Sequence, residues 1–163
     1  GIGYPGGAPM DRLAQGGDDT RYELPRAHVA GAPLDMSFSG LKTAVLNLVH
    51  NAGQKGETLD LPGLAASFAA AVSDTLVPRT MEAAKQLGYG KVAVAGGVAA
   101  NTRIRADLER ACRRSGDKLY LPQLSLCGDN GAMIGCQAYY EYLAGRRGGL
   151  ELNAYATRSI ELG

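Results

Sequence analysis

A buried strand that ends in a glycine pair, with a helix close behind it, limits most strongly how this chain can fold. The apolar run Val92–Ala95 precedes Gly96 and Gly97, and residues 103–114 carry the apolar spacing of a helix. The β-branched side chains of this run are typical of a buried strand. Two glycines at the turn leave no Cβ atom between the backbone and a flat ligand. The pattern therefore predicts a strand–turn–helix unit with an open turn.

The same turn is a candidate nucleotide site. A helix start supplies backbone N–H groups that favour an anion, and the Asn101 side chain adds an amide that both donates and accepts hydrogen bonds. We therefore expect Gly96, Gly97 and Asn101 to contact a nucleotide or a similar anion. Two structural alternatives remain open: a glycine pair also occurs at turns that bind nothing, and Asn101 can serve only as a helix cap.

Three further segments carry unusual patterns. Leu126–Ile134, which reads LCGDNGAMI, places Asp129 where a helix should begin, so its carboxylate is either a ligand or only a helix cap. Met36–Ala44 reads MSFSGLKTA, and Gly3–Pro9 reads GYPGGAP with Asp11 two positions beyond it.

The organisation predicted from periodicity and punctuation is that of an α/β protein. A helix is expected near 41–49, and Asp60 followed by Pro62 marks the start of another, which Pro78 should kink and the glycines at 88 and 90 should end. Strands at 91–95 and 118–122 should alternate with helices at 102–115 and 130–144. We divide the chain into an insertion region (1–60), an α/β core (61–145) and an extended tail (146–163).

Composition excludes several functional classes. Seventeen basic and sixteen acidic residues give a net charge of +1, too balanced to indicate nucleic-acid binding from charge alone. The longest apolar stretch, Leu64–Val72, is interrupted by Ser67 and is too short to span a membrane. The three cysteines (Cys112, Cys127 and Cys136) form no CxxC pattern, which favours reduced thiols in a cytoplasmic protein.

The four segments, taken in order, resemble the tRNA threonylcarbamoyladenosine synthase family, called TsaD in bacteria and formerly O-sialoglycoprotein endopeptidase. The family patterns read approximately YPGGP, FSFSGLKTA, GGVAAN and CTDNAAMIA, and the similarity runs nearly from end to end. Differences are Ala8 within the first motif, Met36 where phenylalanine is usual, and Gly128 and Gly131 in place of threonine and alanine.

The resemblance implies the C-terminal lobe of an actin-like ATPase (ribonuclease H-like) fold with a helical or irregular insertion. It implies transfer of a threonylcarbamoyl group from threonylcarbamoyl-AMP to the exocyclic amine of the adenosine beside the tRNA anticodon. Gly7, Asp11 and Asn101 fall on the adenylate-binding positions, and Asp129 falls on the carboxylate ligand of a divalent metal ion, iron or zinc. The implied partners are tRNA, a companion actin-like paralogue and ATPase subunits, without a membrane.

The family's N-terminal lobe, with its His-x-x-x-His pair and glycine-rich phosphate segment, has no counterpart here. The only histidines, His28 and His50, lie too far apart for a helical pair, and we expect both in loops or on the surface. We therefore expect a C-terminal fragment whose remaining metal ligands come from the missing lobe. Such a fragment alone should neither modify tRNA nor bind metal tightly.

Other functions remain as alternatives. A non-catalytic actin-like scaffold that binds nucleotide or a partner subunit would not need the Asp129 carboxylate. A metalloprotease is disfavoured because no His-Glu-x-x-His helix is present, and a carbamoyl transferase acting on a small molecule is not expected to carry the segment 37–44. No cysteine is nominated as a nucleophile, because AMP already leaves readily.

Four basic residues receive structural interpretations. Lys42 lacks the Gly-x-x-x-x-Gly-Lys frame of a phosphate-binding lysine, so a structural or interface role is favoured. Arg103, Arg110 and Arg114 fall near one helical face and can meet tRNA phosphates, but the interleaved acidic residues favour a solvated face.

Overall fold

The structure, a computed structural model, describes residues 3–26, 28–154 and 156–157. They form two compact units, Gly1–Gly128 and Asp129–Gly163. The elements in chain order are α1 (Gly7–Ala14), α2 (Ser39–Lys55), α3 (Leu61–Leu87), β1 (Lys91–Ala93), α4 (Thr102–Ser115), β2 (Lys118–Tyr120) and α5 (Gly131–Leu143). Short 3-10 helices at Gly97–Ala100 and Leu124–Leu126 precede α4 and α5.

The helix boundaries follow the local signals in the sequence. At the start of α3 the Asp60 carboxylate accepts a hydrogen bond from the Gly63 N–H at 3.1 Å, and Pro62 lies in the first turn. The helix runs on through Pro78 and ends at Gly88, whose φ of +70° is left-handed. The predicted helices near 41–49, from 61, at 102–115 and at 130–144 are therefore confirmed.

Helix α3 forms the core of the first unit. Its buried positions are mostly alanine, serine and glycine, and small side chains allow neighbouring elements to approach closely. The helix is long and apolar enough to cross a membrane, since its most apolar stretch has a mean hydropathy of 1.2. However, 61% of that stretch is buried within the protein. A buried core helix accounts for this composition.

The two strands form a small parallel sheet. Val92 pairs with Leu119, and the ladder continues beyond β1 with a 3.0 Å hydrogen bond from the Val94 N–H to the Tyr120 carbonyl. Helix α4 connects the strands and packs Ile104 and Leu108 on α3. The α/β class is confirmed, whereas the actin-like assignment stays a prediction.

Helix α1 is absent from the predicted elements. Gly6, Gly7 and Pro9 are turn-forming residues, and they hide a helix of only 8 residues with no buried side chain. Proline is nevertheless tolerated in a first helical turn, where its missing N–H has no intrahelical partner. The helix is held by contact with α3, which no local pattern reveals.

The segment after α1 is fastened to the start of α3. Ser67 accepts a hydrogen bond from the Tyr22 N–H at 3.1 Å, and the Tyr22 hydroxyl accepts one from the Asp60 N–H at 3.0 Å. Gly17 lies so close to α3 that a Cβ atom there would stand 2.0 Å from the Pro62 carbonyl oxygen. Only glycine fits this position without movement of the backbone.

Replacing Gly17 by alanine should therefore destabilise the chain by about 1–3 kcal/mol, the usual range for inserting a methyl group where no space exists. Urea unfolding followed by circular dichroism measures this change. Gly16→Ala is the matched control, because a Cβ atom there meets only the Leu13 carbonyl oxygen at 4.0 Å. Equal unfolding midpoints for the two variants would show that the approach of Gly17 to Pro62 is not a constraint.

The second unit consists of α5 and the residues after it. The Asn130 side chain accepts a hydrogen bond from the Met133 N–H at 3.1 Å and so caps the helix. Glu141 forms a hydrogen-bonded ion pair with Arg146, and the hydrogen bond from Arg146 lowers the pKa of Glu141. Tyr155 and Ile160 of the predicted extended tail lie outside the described residues, and the boundaries at 60 and 145 stay predictions.

Candidate functional site

The connection from β1 to α4 contains an additional 3-10 turn that the sequence did not predict. Gly96 has a left-handed φ of +86°, and a 3-10 turn at Gly97–Ala100 separates it from α4. The Ala99 N–H donates to the Gly96 carbonyl at 3.0 Å, which closes this turn. Position 96 favours glycine because side chains with a Cβ atom rarely adopt a positive φ. Gly97 has no such φ, and a Cβ atom there would face open space. The two glycines therefore have different roles.

Side chains of the protein itself occupy the start of α4. The Ile104 N–H donates to Asn101 Oδ1 at 3.0 Å, so Asn101 is the helix cap. The Thr102 N–H donates to Asp11 Oδ1, also at 3.0 Å. The expectation that this helix start offers free N–H groups to an anion is therefore wrong for these two groups. The cap interpretation of Asn101 is confirmed, and contact with a nucleotide stays a prediction.

The Asp11 carboxylate connects α1 to α4. Its Oδ1 atom also accepts a hydrogen bond from Asn101 Nδ2 at 2.9 Å, and its Oδ2 atom accepts one from the Thr102 hydroxyl at 2.7 Å. A weaker contact of 3.5 Å joins Gln15 Nε2 to Oδ2. Since each carboxylate oxygen accepts about two hydrogen bonds, Oδ1 is saturated. The Oδ2 atom still has room for one strong donor in place of Gln15.

A cavity of about 500 Å³ brings four of the predicted binding residues together, and we call it the adenylate cleft. Its lining includes Gly7, Asp11, Gly97 and Asn101, whereas Gly96 does not line it. Its volume lies in the range of small-molecule sites, which are concave and mostly apolar with few polar groups. The apolar walls include Met10, Phe68, Val72 and Ile104.

Phe68, Val72 and Ile104 of these walls have no functional signal in the sequence. Phe68 and Val72 belong to a helical stripe that predicts core packing, and Ile104 is buried in the core of the unit. Thr102, which orients Asp11, is also unremarked by any motif. The signal that could have found it is its place directly after the cap residue, where an N–H needs a partner.

Charged residues hold α4 against α3 beside this cleft. Asp107 accepts hydrogen bonds from the Ser73 hydroxyl at 2.6 Å and from Arg103 Nε at 2.7 Å, and it also pairs with Arg110. Partial burial raises the pKa of Asp107, but these hydrogen bonds and charges together outweigh it and hold the pKa below the ordinary value of 3.8. Arg103 also pairs with Asp19, so it is an anchor and not part of a solvated face.

Asp129 is the first residue of the second unit and is exposed. The cap of α5 is Asn130, so the interpretation of Asp129 as the helix cap is wrong. Its role as a metal ligand stays a prediction. In the part of the chain that the structure describes, no group of three or more histidine, cysteine or acidic residues could hold a metal ion. Both His28 and His50 are exposed, as expected.

Comparisons with known proteins identify the family of this chain. The family model for tRNA N6-adenosine threonylcarbamoyltransferase, TsaD, matches residues 1–136. The chain belongs to this family. The resemblance drawn from the four TsaD motifs is therefore confirmed.

Three relatives, each named tRNA N6-adenosine threonylcarbamoyltransferase, show how far the similarity extends. The protein of Clostridium botulinum (strain 657) is 45% identical over 154 residues, covering 94% of this chain and 45% of the relative. That of Geobacillus kaustophilus is 48% identical over 155 residues, covering 94% and 45%. That of Halalkalibacterium halodurans is 45% identical over 161 residues, covering 99% and 47%. The chain thus spans about half the length of these TsaD relatives.

Proposed function

We propose that this chain supplies the adenylate-binding part of a cytoplasmic tRNA N6-adenosine threonylcarbamoyltransferase. The observation that carries the proposal is the convergence of Gly7, Asp11, Gly97 and Asn101 on one cleft. The substrates would be threonylcarbamoyl-AMP and the adenosine beside the tRNA anticodon. The companion paralogue and ATPase subunits implied by the family would be its partners.

Each part of the adenylate has a matching surface in the cleft. The apolar walls, among them Phe68 and Ile104, suit the adenine ring, and Asp11 Oδ2 can accept a hydrogen bond from a ribose hydroxyl. The start of α4 is already occupied by Asp11, so the phosphate has to find its donors elsewhere. Gly7 and Ala8 at the start of α1 line the same cleft, and the positive end of that helix suits an anion there.

The reaction requires no nucleophile from the protein. The adenosine amine attacks the carbamoyl carbon, the bond to the phosphate oxygen breaks, and AMP leaves as the amine loses a proton. The residues of this chain hold the adenylate in place, so that the reacting carbon is presented to the amine.

The TsaD family is generally metal-dependent, and we propose one divalent ion, iron or zinc. Such an ion polarises oxygen atoms in acyl transfer. Carboxylate oxygen is a suitable ligand for either metal, and Asp129 is exposed. This chain then provides one ligand, and the others come from the rest of a full-length protein.

A direct test uses a protein of the relatives' full length that carries this sequence, together with its partner subunits. Incubation with threonylcarbamoyl-AMP and tRNA should produce threonylcarbamoyladenosine, detected by mass spectrometry of the digested tRNA. Asn101→Ala should reduce the yield, because it removes both the cap of α4 and one hydrogen bond to Asp11. Binding of the adenylate without any modified nucleoside would support the scaffold alternative instead.

A further inference from the structure

A second and larger cavity lies between α1, α2 and α3 in the first unit, and we call it the α2 groove. Its volume is about 930 Å³ and its lining is almost entirely apolar. The groove is open, since Phe38, Leu46 and Val49 along α2 are 36%, 58% and 46% exposed. Exposed apolar side chains that line one groove mark it as a candidate interaction site.

The α2 groove adjoins the adenylate cleft. Met10 and Phe68 line both cavities, so the two cavities are neighbours. An occupant of the groove therefore lies next to an adenylate in the cleft. In a group-transfer enzyme this is the place for part of the acceptor substrate.

The chemistry of the groove narrows the class of occupant. The chain has two phenylalanines, and both line the groove. Aromatic faces stack on unpaired bases, whatever the base, and this is how proteins hold single-stranded RNA. Lys42 is the one charged residue among the described residues that line the groove. Phe68 is partly buried against the core, so Phe38, which is 36% exposed, is the ring available for stacking. An apolar surface with one exposed aromatic ring and a single cation matches an unstacked nucleotide, which offers a base and a phosphate.

We propose that the α2 groove binds an unstacked base of the tRNA anticodon loop, with Lys42 contacting an adjacent phosphate. This inference rests on the proposed function, because it takes RNA as the acceptor. It also gives a role to the segment Met36–Ala44, which places Phe38 and Lys42 one helical turn apart at the start of α2. The sequence pattern alone favoured a structural or interface role for Lys42, and its place in the groove is the reason for the change.

Site-specific labelling tests the proposal in the full-length protein with its partner subunits. Cys112 and Cys127 are buried, so Cys136→Ser removes the exposed thiol among the described cysteines, and Leu46→Cys then adds one to the groove. A maleimide should label position 46 readily, and an anticodon stem-loop RNA should slow labelling at least tenfold. Leu87→Cys is the matched control, because Leu87 lies at the other end of α3, about 39 Å along the helix from Leu61.

The outcomes separate the possible occupants. No labelling at position 46 without RNA would mean that the remainder of the protein or a partner subunit covers the groove, which overturns the proposal. Labelling that RNA does not slow also overturns it. Equal slowing at positions 46 and 87 would indicate general crowding by bound RNA, and would likewise contradict a specific groove contact.

An affinity measurement provides an independent readout. Leu46→Glu places a negative charge beside the expected phosphate, and we expect RNA affinity, measured by fluorescence anisotropy, to fall at least tenfold. Leu87→Glu should change it less than threefold, and adenylate affinity should be unchanged in both variants. Normal adenylate binding with unaltered RNA affinity in Leu46→Glu overturns this inference alone. If the protein with Leu46 unchanged does not bind the adenylate, while RNA still slows labelling of Cys at position 46, the proposed adenylate site alone is overturned.

Discussion

Asp129→Ala should abolish threonylcarbamoyl transfer in a protein of the relatives' full length, while the protein remains folded. A bound metal ion contributes several kcal/mol to acyl transfer, so loss of one ligand should lower the rate about 100-fold or more. The fold should tolerate the change because Asp129 is exposed and does not cap α5. Modified nucleoside in digested tRNA and metal content by elemental analysis measure the two effects.

The neighbouring residue supplies the control for this prediction. Asn130→Ala removes the side chain that caps α5 and should lower stability by about 0.5–2 kcal/mol. It should leave metal content unchanged, since Asn130 is not expected to bind the ion. Transfer at the normal rate by Asp129→Ala, or equal metal loss in both variants, would remove Asp129 from the metal site.

The helix boundaries of this fold could be predicted from the sequence, because they depend on residues that are close together along the chain. Asp60 and Pro62 begin α3, and glycines at 56, 88 and 116 end α2, α3 and α4 in left-handed conformations. Caps and glycine terminators act within one helical turn. Helices α2 to α5 could therefore be predicted from the amino-acid sequence alone.

The contacts that assemble the site could not be predicted in this way. Asp11 and Thr102 meet across 91 positions, and nothing near either residue indicates the other. The resemblance to the family placed Asp11 and Asn101 on the same ligand, but not in a hydrogen bond with each other. The sequence also could not show whether Asp129 or Asn130 caps α5, because aspartate and asparagine are about equally good helix caps.

Asp11→Asn should weaken adenylate binding about 10- to 150-fold. Hydrogen bonds that involve a charged group contribute about 1.5–3 kcal/mol, and the amide keeps one acceptor oxygen while presenting a donor on its other side. That donor would face either the Thr102 hydroxyl and a ribose or the N–H groups that Asp11 Oδ1 now satisfies. Calorimetric titration with a non-hydrolysable adenylate analogue, well below the melting temperature of the variant, measures the affinity.

Thr102→Val separates direct contact from positioning. Thr102 holds Asp11 Oδ2 at 2.7 Å but does not line the adenylate cleft. If Asp11 binds the ribose itself, the valine variant should lose stability by about 0.5–1.5 kcal/mol and keep its affinity within roughly threefold. If both variants lose affinity equally, Asp11 acts only by holding α1 against α4. A melting temperature that falls in Asp11→Asn with no change in affinity would exclude Asp11 from the adenylate site altogether.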